Sequence, residues 1–185
     1  MTILGALMGF LLLSGGAMAM PAQAAAPTLP SYTVMLTAYN AVPGQTDSNP
    51  LETASGAYSN PAVVAARSRD LADELPFGTV IELDGSNITE NNTCGYNVVA
   101  HRIGYRVIAD TMNARYTNRI DVLFDTGANY VAANGNVTNA AAVLGICKGV
   151  TIRVVGHVDI NHIPKTQAGL ASLVESGSGS LAINK

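Results

Sequence analysis

The stretch Tyr105 to Phe124, YRVIADTMNARYTNRIDVLF, decides how this chain is read. It holds two β-prone runs, Tyr105–Ala109 and Ile120–Phe124, split by a polar segment too rich in Asn and Thr to continue either one. In the second run Ile120, Val122 and Phe124 alternate with Asp121 and Leu123, so one face is wholly apolar and suits a core. Each run carries an acid at its border, Asp110 closing the first and Asp121 opening the second. Asp125 follows four residues on. Residues i and i+4 share a face in a strand and in a helix, so Asp121 and Asp125 are expected on one side, with Asp110 joining them if its strand lies alongside.

Outward from this stretch, the pattern stays short and β-rich. Strands are expected at Tyr32–Tyr39, Thr79–Leu83, Asn97–His101 and Val150–Val158, with a short apolar run at Ala62–Ala66. Loops are expected at Ala41–Pro61 and Asp84–Gly95, where Gly, Pro, Ser, Thr and Asn accumulate. Asp125 reads as an N-cap for a helix over Ala128–Ala133 that stops at Gly135, and Thr138–Leu144 reads as a second short helix. Six or so strands with one or two short helices define a mainly β fold, a small mixed barrel. The domain spans residues 32–164. From Lys165 the chain turns briefly helix-like and then Gly/Ser-rich, so residues 165–185 are expected to form a flexible tail.

Composition narrows the function classes. Only 12% of the 185 residues are charged and the net charge is −3, so a basic nucleic-acid binder is excluded. The first charged residue is Asp47. Ile3–Leu13 is apolar but too short for a membrane span, and the A-x-A patterns Ala17–Ala19 and Ala22–Ala24 follow it. Residues 1–24 therefore read as a signal peptide without the usual basic start, and the protein as exported. Cys94 and Cys147 fit that compartment: two cysteines in an exported domain are expected to pair, the other reading being two separate buried thiols. Sequons begin at Asn87, Asn91 and Asn136 and matter only in a host that glycosylates exported proteins.

No dinucleotide fingerprint, P-loop, H-E-x-x-H or nucleophile elbow is present, and no cofactor or metal is expected. Ser55 lies in no elbow and reads as a turn serine. His157, Asp159 and His162 lie close together but read better as a solvated strand end than as a metal site. The acids carry the strongest signal. Clustered carboxylates repel when ionised, and burial at a barrel mouth adds to that, so one of Asp110, Asp121 and Asp125 can stay protonated near neutral pH and donate to a leaving oxygen. The structural alternative is Asp110 in a turn, Asp121 bonded to backbone and Asp125 as a cap. Arg115 and Arg119 are placed to pair with the acids and weaken that role.

Five pieces in order give a resemblance: Thr37-Ala38-Tyr39, Thr53-Ala54-Ser55-Gly56, Leu75-Pro76-Phe77-Gly78-Thr79, Val107-Ile108-Ala109-Asp110 and Asn118 to Phe124. Together they span roughly Tyr32 to Asp159. The chain resembles the three-aspartate (3D) domain of bacterial cell-wall proteins, which is related to the barrel of rare lipoprotein A. That resemblance implies a six-stranded double-psi β-barrel with two crossing loops, located in the periplasm, outer membrane or cell wall. It implies peptidoglycan glycan strands as partner and activity like that of lytic transglycosylases on the O-glycosyl bond. A non-catalytic, expansin-like wall-binding barrel is the alternative it leaves open. Asp121 matches the acid–base residue and Asp110 its neighbour. Asp70 is nearest to the third aspartate, and Asp125 has no counterpart. Tyr39, Ser55, Tyr116 and Arg119 are the expected substrate-binding residues, the tyrosines replacing absent tryptophans as stacking platforms. The segment Thr111–Ile120 departs from the family, which carries glycines and a lysine there. The second domain of the larger transglycosylases does not fit in a chain of this length.

Overall fold

A computed structural model describes residues 29–46, 49–88, 92 and 94–177. The expected signal segment 1–24 and the sequon at Asn91 lie outside the described residues. Among the described residues, eight strands and three α-helices run in the order β1 (Ser31–Asn40), β2 (Val64–Arg67), β3 (Thr79–Asp84), α1 (Tyr96–Val99), β4 (Arg106–Thr111), β5 (Arg119–Phe124), β6 (Asn129–Val131), β7 (Val137–Asn139), α2 (Ala140–Leu144), β8 (Cys147–His157) and α3 (Gln167–Glu175).

Six strands close into a barrel in the order β1-β5-β2-β4-β3-β8. Two pairs are parallel, β1 with β5 and β2 with β4, and the rest antiparallel. Exchanging the first three barrel strands in sequence order for the last three reproduces every neighbour, so the barrel is pseudo-twofold in its connectivity. This is the double-psi arrangement. Closure leaves no free edge, which matters for strands as short as β2.

Alternation sorts the strand residues. Val34, Leu36, Ala65, Ile81, Leu83, Ile108, Ile120, Val122, Phe124, Val150 and Ile152 fill the interior, all six strands contributing. The opposite parity gives an outer cluster of Tyr39, Val64, Ala66, Val80, Val107, Ala109 and Leu123, with Leu170 from α3 packed into it. The turn Pro76-Phe77-Gly78 crosses this wall tightly. Gly78 adopts φ 92° and bonds to Ile108 O and Val158 N, and a side chain there would collide with the Val158 carbonyl.

Cys94 and Cys147 are joined, clipping the α1 segment to the start of β8. A crosslink spanning 53 residues stabilises the fold by about 4 kcal/mol in the chain-entropy model. No helix among the described residues is long and apolar enough to cross a membrane.

Four expected elements differ. Asn97–His101 is helical, α1 running into a 3₁₀ turn over Ala100–Arg102, because Val99 and Ile103 are buried against the core and α1 packs on α2. Tertiary packing there overrides the β preference of Val98 and Val99. Residues Ala128–Ala133 are not a helix: Asn129–Val131 pairs with Val137–Asn139 as a hairpin. Gly135, the expected helix stop, instead closes the hairpin turn, its N–H on Ala132 O, at φ 81°. Of the predicted second helix only Ala140–Leu144 is helical, capped by the Asn139 side chain. Finally, residues 167–175 are no loose tail. Leu170 is fully buried, and Gln167 bonds to Ala62 O, Tyr105 O and Tyr105 N, holding α3 against the barrel wall.

Candidate active site

β2 is the hinge of the site. Its Ala66 is in register with Asp121 of β5 on one side and Asp110 of β4 on the other. The β2–β4 register skips Ala109, and this bulge brings Asp110 opposite Ala66. On the far side of Asp121, Thr37 of β1 is its cross-strand partner. Thr37, Asp121, Ala66 and Asp110 thus form one row. Two strand spacings, roughly 10 Å, separate the backbones of the two acids, and the methyl of Ala66 leaves the space between them open.

Because Asp121 alternates with the inward Ile120 and Val122, it projects from the outer face of the barrel. The site is therefore a wall cleft and not the barrel mouth that the sequence suggested. Its volume is about 680 Å³. Asp110 and Asp121 line it with Tyr39, Glu52, Arg69 and Tyr116.

The two acids are held very differently. Asp110 accepts from Tyr39 Oη (2.8 Å), Ala54 N (2.9 Å) and its own neighbour Thr111 N (2.8 Å). Burial of Tyr39 and the Asp110 carboxylate beside it hold the phenol well above its ordinary range, so it stays a donor. Asp121 has no such shell. Its Oδ1 is buried without a hydrogen-bond partner, as are Thr37 Oγ1 across the strand pair and Arg119 Nε two residues before it. Burial pushes the Asp121 carboxyl up, to about 6, and Asp110 adds to that; Thr37 and Arg119 pull the other way without cancelling it.

The expected residues divide accordingly. Asp121, Asp110, Tyr39 and Tyr116 come together at the cleft. Asp125 does not: it is exposed beyond the end of β5, caps a turn through Gly127 N (2.6 Å), and does not line the cleft. The facing argument fails because the strand ends at Phe124. Ser55 backs the wall, its N–H on Ala109 O and its hydroxyl on Thr53 Oγ1 (3.0 Å). Asp70 accepts from Asn118 N (2.8 Å) and thereby holds the β4–β5 loop, in which Asn118 sits at φ 48°. Tyr130 lies on β6 under Arg102, away from the acids.

Tyr116 is no bare stacking platform. The guanidinium groups of Arg115 and Arg119 lie 4.8 and 4.6 Å from its ring centroid, and Arg115 also donates to its hydroxyl (2.8 Å). Arg119 pairs with no acid, and neither does Arg115, among the described residues. Sequence reasoning missed Arg69 and Ala66. Their signal was faint: the small residues of Ala62–Ala66 mark a strand that leaves room beside it, and Arg69 follows in the polar turn. His162 bonds only to Asp159 (2.8 Å), and no group of three or more metal-type side chains occurs among the described residues.

A second hollow, about 520 Å³, lies between β3, α1 and α3. Its one acid, Glu82, is paired with Arg153 (3.0 Å), so it offers no free acid–base group. Set against known proteins, the chain matches no protein-family model and none of the curated proteins.

Proposed function

We propose that this protein cleaves the glycan strand of peptidoglycan as a lytic transglycosylase does, with Asp121 as its acid–base residue. The observation that carries the reading is the state of Asp121: a carboxyl at the wall of an open cleft, pushed up to about 6 by burial, with one oxygen unpartnered. A protonated acid in that state can give its proton to a bridging oxygen, and the resemblance to three-aspartate barrels supplies the substrate class. Asp121 protonates the oxygen between muramic acid and glucosamine as the bond breaks through an oxocarbenium-like transition state. Its carboxylate then takes the proton of the sugar's own 6-hydroxyl, which attacks the anomeric carbon and closes an anhydro ring. Asp110, fixed by three donors, sits beside the positive sugar and orients it.

Mass spectrometry of digested cell-wall sacculi tests this. Wild-type protein is expected to release anhydromuropeptides, and Asp121→Asn to release none above background. Equal product from both overturns the assignment.

One observation favours the alternative, a barrel that binds the wall without cutting it. The loop between the acids carries Arg115 and Tyr116, stacked on each other, where the family carries glycines and a lysine. Co-sedimentation with sacculi and no new anhydro or reducing ends is the result that reading expects.

A further inference from the structure

The cleft has two walls of different charge. One comprises Gly44–Thr46, Glu52 and Ala54, with Asp110 behind it, where Ala54 N binds the Asp110 carboxylate. The other comprises Arg69, just after β2, and Asn113, Arg115 and Tyr116 of the β4–β5 loop. The two segments of this second wall are stitched together by Met112 N to Arg67 O (2.9 Å), Arg119 N to Ser68 Oγ (3.0 Å) and Asn118 N to Asp70 Oδ2 (2.8 Å). Arg69 and Arg115 are therefore carried on one braced surface, and both are exposed.

Four other arginines of the fold are occupied, and Arg119 lies against Met35 Sδ and the Tyr116 ring. Arg153 pairs with Glu82 and Asp84, Arg102 donates to Tyr130, and Arg67 and Arg106 bond to backbone carbonyls. Among the described residues, Arg69 makes no side-chain hydrogen bond or ion pair, and the Arg115 side chain hydrogen-bonds only to the tyrosine that it stacks on. The single aromatic face on this wall, Tyr116, is covered by guanidinium, so a sugar ring gains little from stacking there. The wall is equipped for a negative charge.

We infer that Arg69 and Arg115 form a subsite for a carboxylate carried by the sugar, so that this cleft selects acidic glycan over neutral glycan. The inference rests on the glycan reading above and names the group it recognises. Guanidinium donors match a planar carboxylate in geometry and charge. Glu52, the exposed acid of the facing wall, then disfavours a ligand bound the other way round, which fixes the direction of the strand.

The test is calorimetric binding to the full chain carrying Asp121→Asn. The probes are peptide-free peptidoglycan strands with free lactyl carboxylates and the same strands with those carboxylates amidated. The acidic strands are expected to bind about tenfold more tightly. Arg69→Gln and Arg115→Gln each remove most of that difference and leave affinity for the amidated strands unchanged. Arg69→Lys and Arg115→Lys keep part of it, and Arg153→Gln keeps all of it. Equal affinity for the two probes overturns the subsite, as does a preference that survives the double Gln variant. Digestion separates this from the parent reading. Anhydro products released equally from both probes remove the subsite and leave cleavage standing. A preference in binding with no product from either probe does the reverse. Binding to neither probe removes both.

Discussion

Two polar groups, one wholly and one partly buried, sit a few residues apart in strand register and are treated in opposite ways. Arg106, at the start of β4, is wholly buried, yet its guanidinium donates to five carbonyls: Ile103, Pro61, Val64, Leu123 and Arg102. Burial pulls its pKa down to about 9, still charged at neutral pH. Asp121, on β5, keeps an oxygen with no partner beside two further unpartnered polar atoms. A caged charge knits the fold, since breaking the cage leaves carbonyls without donors. An uncaged one costs stability and persists where it is used. The difference separates a charge that knits the fold from one that the fold leaves short of partners.

The strongest test of that contrast is Arg106→Met. Removing the guanidinium strands several buried carbonyls, and a loss of about 3–5 kcal/mol is expected in urea unfolding. Near-neutral stability would break the comparison. Asp121→Asn is expected to move the other way. The folded state holds this carboxyl at about 6 against 3.8 for an ordinary aspartate, so the folded protein binds more protons and stability falls as pH rises from about 4 to about 6. The Asn variant lacks that loss and gains about 2–3 kcal/mol at pH 7. Its denaturation midpoint should be flat across that window while activity disappears. In the wild type, cleavage should decline as pH rises through about 6, because the proton donor is lost. Tyr39→Phe removes one of three donors to Asp110, at a cost of about 1 kcal/mol, measured by thermal melting. Asp125→Asn, outside the cleft, should change stability by less than about 0.5 kcal/mol and leave product release unaltered.

Much of the barrel was legible. β1, β3, β5 and β8 announce themselves through alternation, and Ile120-Asp121-Val122-Leu123-Phe124 assigns its inward face correctly because a closed barrel has one apolar interior. The misread elements have local causes. Asn134-Gly135 ends a helix or turns a hairpin equally well, and the pairing of Asn129 with Asn139 decides it. Val98 and Val99 prefer strands, and α1 forms because Val99 and Ile103 are buried against the core. At the site, the facing argument for Asp125 assumed regular structure, strand or helix, from Asp121 through Asp125, whereas β5 ends at Phe124 and Asp125 lies in a turn. Nothing local marks Arg106 as a cage centre, since its five acceptors lie as far away as Pro61.

The sequence by itself determined the β content, the acids worth attention and the parity that turns Asp121 away from the core, because side-chain alternation is a property of each strand alone. Only the tertiary structure decided that Asp110 and Asp121 share a row. That depends on β2 lying between their strands and on a bulge skipping Ala109. Whether a buried carboxyl is caged or left short of donors depends on backbone brought from distant parts of the chain, and strand spacing carries no record of it.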